Sequence, residues 1–555
     1  MEPIERSYTS LTALHDAYGL TPAERAAVTE AYEVFRAHHG PFITSVAVQM
    51  LPDLHADADV GRTIVFLGRD GHSFAAAVRA LEPGFFARHC KEAVLSRVVV
   101  DAALQDLETH RGERFPAVDG FRRTRNRVPP ETVPGAYRHL TSYLRAMGIP
   151  AGLPGSTVTV VDSSFKGTVQ ELLSATYPQT DFQGRYAFFG ASPADPHPGT
   201  KHGYVIDLPP ERTAEGRGLP FDELPDDPAL TFASGVALSV IEDTLHGPLD
   251  TPLRISALGP EQPLQRSDGE PLMGFNPVVV PGRYRSPAVR EAAKAAALLA
   301  VFDHAAETAR RRDAGENCEH ELMQARREFT RHVRAWIRRD TGADPALKTV
   351  LDSLVHRTEW PAIARLHSAL ASAGISEEAA APLWQHFESL PTLHDKRAFA
   401  DATPTALTPL MLMPDHELAA HQARLQHASA TLEPAAAGPD PGCRSDAVQR
   451  LTERGAPPDA VERAQQAARE DAAYARIQAG QAGRRLAAFR EEIHGADREA
   501  QRRTTLTGHQ RLTEQAIRQR ILPRQLPPPA GQPQGQAVPR ARAPQQPVKR
   551  PGHSY

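Results

Sequence analysis

Cysteine is scarce in this 555-residue chain: Cys90, Cys318 and Cys443 lie far apart, with no CxxC spacing and no even set from which a disulfide framework could be built. Such usage fits a reducing cytoplasm. Long apolar runs are missing too. No stretch of about 18 apolar residues occurs anywhere, and the N-terminal MEPIERSYTSLTALHDAYGL carries charges where a signal peptide needs a continuous apolar segment. The sequence predicts a soluble protein, neither secreted nor spanning a membrane. Aromatic residues are few and nearly absent between Arg490 and Tyr555. That speaks against stacking on nucleic-acid bases by the C-terminal region.

What is present is uneven in charge. From Arg484 to the end, 14 Lys and Arg stand against 5 Asp and Glu; with −4 overall, the preceding residues carry −13. An acidic body thus bears a basic tail, which reads as a solvated linker or a contact for an acidic partner more than as a nucleic-acid binder. A hydrophobic share of 41% supplies a real core, and the length implies more than one folded unit.

Periodicity divides the chain. Residues 1–60 read as a helical lead, with Thr21-Pro22 as cap and first-turn proline. Between 61 and 285, short apolar runs alternate with helical stretches: Thr63–Leu67, EAVLSR ending at Ser96-Arg97, VTVVD ending at Asp162, RYAFFG and HGYVID. That alternation predicts an α/β domain with a mostly parallel sheet and flanking helices. From Ser286 the apolar spacing changes to three and four, predicting an all-helical region over 286–430. EPAAAGPDPGC reads as a linker, 431–522 as an Ala/Gln/Arg-rich helical extension, and 523–555 as a disordered Pro/Gln/Arg-rich tail.

Ligands of open parallel sheets bind beyond the carboxyl ends of the strands. Three polar strand ends are candidates: Arg69-Asp70-Gly71-His72-Ser73, Ser96-Arg97, and Asp162-Ser163-Ser164-Phe165-Lys166-Gly167-Thr168. In the third, Gly167 permits close backbone approach, Thr168 offers a hydroxyl and an amide at a helix start, and Lys166 adds a full charge; these are the parts of an anion site. Asp162 can accept from sugar hydroxyls or hold a hydrated Mg²⁺. The expected guest is a phosphorylated sugar. The same residues also fit plain capping, with Ser163 or Ser164 as N-cap and no ligand. Arg69 and Arg97 suit bidentate contacts to phosphate. His72 is either a base or a satisfied loop histidine. For one small ligand to bridge the loops, they must converge within roughly 15 Å.

FLGRDGHSF, LSRVVVDAAL and VVDSSFKGTVQ, in that order, resemble the uncharacterised domain that accompanies haloacid dehalogenase-like (HAD) hydrolase modules in bacterial surface-polysaccharide proteins. The resemblance spans roughly residues 30–260, with EDTLHGPLD at its end, and the upstream DxDxT module is absent. VTVVDSSFKGT is also similar to the type I phosphoribosyltransferase signature of four apolar residues, two acids and a Thr/Gly-rich phosphate loop. That likeness implies a Rossmann-like or phosphoribosyltransferase-like fold, Asp162 as first acid, Lys166, Gly167 and Thr168 as cradle of a 5-phosphate, and GRDG as the diphosphate-contacting loop. Ser163 stands where the second acid belongs. A HAD-like reading takes Asp70 as nucleophile, Ser96 as phosphate-binding hydroxyl and Asp162 as Mg²⁺ acid, although Asp70-Gly71-His72 lacks a second acid. A third reading is a catalytically degenerate module that binds a ligand or a protein partner. HELAAH, with histidines at 416 and 421, lacks the four-residue spacing of a zinc protease motif.

Overall fold

The structure, a computed structural model, describes residues 10–68, 70–163, 165–192, 194–208, 251–261, 272, 274–339, 341–357, 359–404, 407–438 and 442–521. Arg69, Ser164, EDTLHGPLD and the tail from Pro523 lie outside them. The chain divides into two compact units, one formed by residues up to Ser368 with Trp384–Asp401, the other by Ala369–Leu383 with residues from Ala402 onward.

The first unit opens with helices α1 (Leu11–Ala17), α2 (Pro22–Val34) and α3 (Gly40–Asp59). Thr21 caps α2 in a reciprocal box with Glu24. A π-helical turn, Phe35–His39, joins α2 to α3. There follow β1 (Thr63–Gly68), α4 (Gly71–Leu81), α5 (Pro83–His89), β2 (Cys90–Val94), α6 (Arg97–Arg111), α7 (Ala136–Ala146), β3 (Thr157–Asp162), α8 (Thr168–Thr176), β4 (Asp181–Gly190) and β5 (Lys201–Leu208). These five strands form one parallel sheet in the order β2-β1-β3-β4-β5. A two-stranded antiparallel hairpin, β6 (Arg254–Ser256) with β7 (Gly259–Glu261), lies apart from it. The α/β sheet predicted from the apolar runs is therefore present, flanked by helices on both faces.

Alternation along the strands explains the layers. Ile64 and Phe66 enter one core with residues of α3, α4 and the long helix α9 (Pro287–Asp313). Val65 and Leu67 enter the other with residues of α6, α7 and α8. Both faces are buried, as parallel sheets require. The chain leaves β1 by α4 and α5 on one face and leaves β2 by α6 and α7 on the other, so the strand order reverses between β1 and β3. That reversal opens a crevice at the carboxyl ends of the two strands.

Two sequence readings are corrected. EAVLSR is not strand throughout: β2 ends at Val94, and Ser96 caps α6 by accepting from the Val99 N–H at 3.1 Å. The EPAAAGPDPGC segment is not wholly a linker, because the helix Asp415–Ala437 continues through Pro434. In the second unit that helix packs along Pro458–Thr505, a helix of 48 residues. Every regular element described beyond Ser286 is helical. Among the described residues no helix is long and apolar enough to cross a membrane.

Candidate functional site

A cleft of about 650 Å³ opens at the carboxyl edge of β1, β2 and β3. Gly68 and Asp70 line it from β1, Ser96 and Arg97 from β2, and Asp162, Lys166 and Thr168 from β3. Residues from each of the three polar strand ends therefore line one cleft, while Arg69 and Ser164 lie outside the described residues.

The β3 loop is held by its neighbours. Its carbonyls at Ser163 and Phe165 accept from the Phe188 and Gly190 N–H groups, at 3.2 and 2.8 Å, so the loop continues beside β4. Gly190 has no side chain because a Cβ there would lie 2.6 Å from the Phe165 ring. The Ser163 N–H donates to Asp162 Oδ1 at 2.8 Å, and the Ser163 hydroxyl donates to Asp70 Oδ2 at 3.1 Å. One buried serine thereby ties the carboxylates of β1 and β3 together at the cleft.

The capping alternative fails in its stated form. Helix α8 starts at Thr168, its N-cap is Gly167, and no side chain caps it. Gly167 has φ +61°, the left-handed region that favours glycine. A Cβ there would lie 2.8 Å from Lys201 Cδ and Cε and 3.1 Å from Tyr186 Oη, so Gly167 makes room for buried side chains. The Lys201 ammonium is locked between Glu171 and Asp195, whose two oxygens both accept from it at 2.9 Å. His197 Nδ1 meets Glu171 Oε2 at 2.7 Å. Burial pushes the Tyr186 phenol well above its ordinary range, and the negative charges of Asp162, Glu171 and Asp195 add to the effect. The phenol stays protonated and donates to Gln170 Oε1 at 2.8 Å.

Other predicted residues have different surroundings. Gly71 begins α4 where a Cβ would come within 3.0 Å of the Val161 carbonyl oxygen, so its absence lets α4 pack onto β1 and β3. His72 is buried, with Nδ1 3.1 Å from Glu92 Oε2, while Arg79 pairs with the other oxygen of Glu92. It does not line the cleft. The Ser96 hydroxyl donates to the Pro252 carbonyl at 2.6 Å, besides capping α6, so both its donor and an acceptor position are engaged. Thr251, Pro252 and Leu253 form the outer wall beside it.

Sequence reasoning missed a further part of the lining. Residues Pro116–Phe121 and Arg125–Arg127 form short 3₁₀ turns that bring Phe121, Arg123, Thr124 and Arg127 to the cleft. The signal was FRRTRNR, Phe121–Arg127, a basic run with no acid between Asp119 and Glu131. Arg122 is buried against α6, donating to Asp101 Oδ1 at 2.6 and 2.8 Å and to Glu108 at 2.5 and 3.1 Å. Arg125 pairs with Glu108 at 3.0 Å. These pairs fasten the segment to the scaffold.

For Mg²⁺, two carboxylates on one cleft wall are a suitable set, since this ion takes one or two carboxylates and completes its shell with water and phosphate oxygens. Asp70 and Asp162, both bonded to Ser163, would hold it. Among the described residues no group of three or more His, Cys, Asp or Glu is arranged to hold a metal ion by itself. Comparison with known proteins finds no matching family model, no matching curated protein and no matching solved structure.

Proposed function

We propose that this chain is a phosphoribosyltransferase-like protein that binds a phosphorylated sugar, phosphoribosyl diphosphate being the best-fitting example, at the β1–β3 cleft. One observation carries the reading: Asp70 and Asp162 share Ser163 on the same wall that presents Lys166 and Thr168. Phosphate suits Lys166 and the amide end of α8, where charge and partial charge add. Sugar hydroxyls suit the carboxylates, which accept hydrogen bonds only. Bound Mg²⁺ would neutralise the charge of a departing diphosphate. The chain's own part is to orient the sugar between Asp162 and Lys166 and to fix the carboxylates through Ser163.

The HAD-like reading needs the Ser96 hydroxyl for phosphate, whereas that hydroxyl is engaged by Pro252 and Val99. This favours the transferase-like reading. The motif resemblance to the surface-polysaccharide domain agrees with a sugar-derived ligand. The test is a thermal-shift screen of phosphoribosyl diphosphate, sugar nucleotides and sugar phosphates with and without Mg²⁺. A ligand at 100 times its Kd should stabilise the fold by about 2.7 kcal/mol. Diphosphate release with an acceptor supports transfer. Phosphate release from a generic monoester supports the hydrolase instead, and binding without turnover marks a degenerate module.

A further inference from the structure

Four arginines occupy the six positions from Arg122 to Arg127, and the fold sorts them into two kinds. Arg122 and Arg125 are tied to acids of α6. Arg123 and Arg127 are exposed, line the cleft, and form no ion pair among the described residues. Arg97 is the same: exposed, on the cleft, and without an acid partner among them. It also sits in the first turn of α6, which contains no acidic residue, so a cation is added to the positive end of the helix dipole. Three guanidinium groups on one cleft, none paired with an acid among the described residues, attract an anion, and an anion bound among them would offset their mutual repulsion.

The scaffold beneath them is rigid. The Arg122 guanidinium and the Asp101 carboxylate it grips are both buried, and Val118 and Phe121 enter the same core as α6 and α8. The wall carrying Arg123 and Arg127 is therefore set in place before any ligand arrives. Arg97 follows β2, whereas Lys166 and Thr168 follow β3, with β1 between. Two interstrand spacings put these strand ends about 10 Å apart.

We propose that Arg97, Arg123 and Arg127 form a second anion subsite, so that the ligand carries two separate anionic groups: a phosphate ester at Lys166–Thr168 and a second phosphate or diphosphate at the arginines. A pentose esterified at both ends has the reach to join them. Planar guanidinium groups suit this task, since each can grip two phosphate oxygens and stays charged at any physiological pH. The inference rests on the reading of the cleft as a phosphorylated-sugar site and adds the ligand's second charge.

Titration calorimetry on the full chain with Mg²⁺, using ribose 5-phosphate, inorganic pyrophosphate and phosphoribosyl diphosphate as probes, tests it. The expected result is that R123A/R127A weakens the two diphosphate probes by about tenfold or more and leaves ribose 5-phosphate within about twofold. Arg125→Ala removes a charge from the same turn, yet should leave all three affinities within about twofold, because Arg125 faces Glu108. Equal weakening of all probes by R123A/R127A, or no weakening of any, would overturn the subsite. Arginine-dependent pyrophosphate binding without ribose 5-phosphate binding would uphold the subsite and discard the sugar reading. If the wild-type chain binds none of the three, both readings fall.

Discussion

The Ser163 hydroxyl reaches 3.1 Å to Asp70 Oδ2, joining the loops that follow β1 and β3. This contact gives a physical reason for a serine at position 163, where the proposed likeness to the phosphoribosyltransferase signature would call for a second acid. A carboxylate at 163 would face Asp70 across a part-buried gap, where two like charges repel one another. Ser163→Asp should destabilise the fold at neutral pH by about 1–3 kcal/mol, with recovery at acid pH or with added Mg²⁺. Urea unfolding at two pH values, with and without the ion, measures it. Equal stability in all conditions would show that the two loops are not coupled.

Asp162→Asn preserves shape and an oxygen that can accept from the Ser163 N–H, but removes the charge. Stability should change by less than about 0.5 kcal/mol, whereas the Mg²⁺-dependent part of the ligand-induced thermal shift should vanish. A mutant with normal ligand response would remove Asp162 from the site.

Gly167→Ala places a Cβ in the left-handed region and against Lys201, which cannot swing away while Glu171 and Asp195 hold it. A loss of at least about 1–2 kcal/mol is expected in denaturant titration. Retention of wild-type stability would mean that the turn relaxes freely.

His39 supplies a pH dependence away from the cleft. It is fully buried in the π-helical turn between Phe35 and Phe329, and neither ring nitrogen has a hydrogen-bond partner among the described residues. Burial pushes its pKa down to about 3. Because the unfolded histidine titrates near 6.5, the unfolded state binds the extra proton between these values. The contribution is present in full above pH 6.5 and is lost as the pH falls toward 3, by up to about 1.4 kcal/mol per unit. His39→Leu should flatten that slope between pH 5 and 6.5. An unchanged slope would assign the acid sensitivity to other groups.

Much of this fold was legible because its strands are short β-branched runs, apolar on both faces, with polar residues where each strand stops. Thr63–Gly68 and Thr157–Asp162 carry that pattern plainly. Ser96 misled because the nearby apolar run Val98–Val100 is β-branched, while a local cap rather than propensity starts α6 there. The arginine wall was harder to see. FRRTRNR announces positive charge, but only acids about 20 residues upstream decide that Arg122 is buried and Arg123 is not. Gly167 was read for approach to a ligand, whereas its reason is a lysine more than thirty positions later in the chain. Contacts between distant positions have no local signature in sequence.

The most direct measurement is a crystal structure grown with phosphoribosyl diphosphate and Mg²⁺. The account predicts density for one ligand spanning the cleft, its 5-phosphate against Lys166 and Thr168, its sugar or metal at Asp162 and Asp70, and its diphosphate toward Arg97, Arg123 and Arg127. An empty cleft at saturating concentration, or a ligand bound elsewhere on the protein, would contradict it.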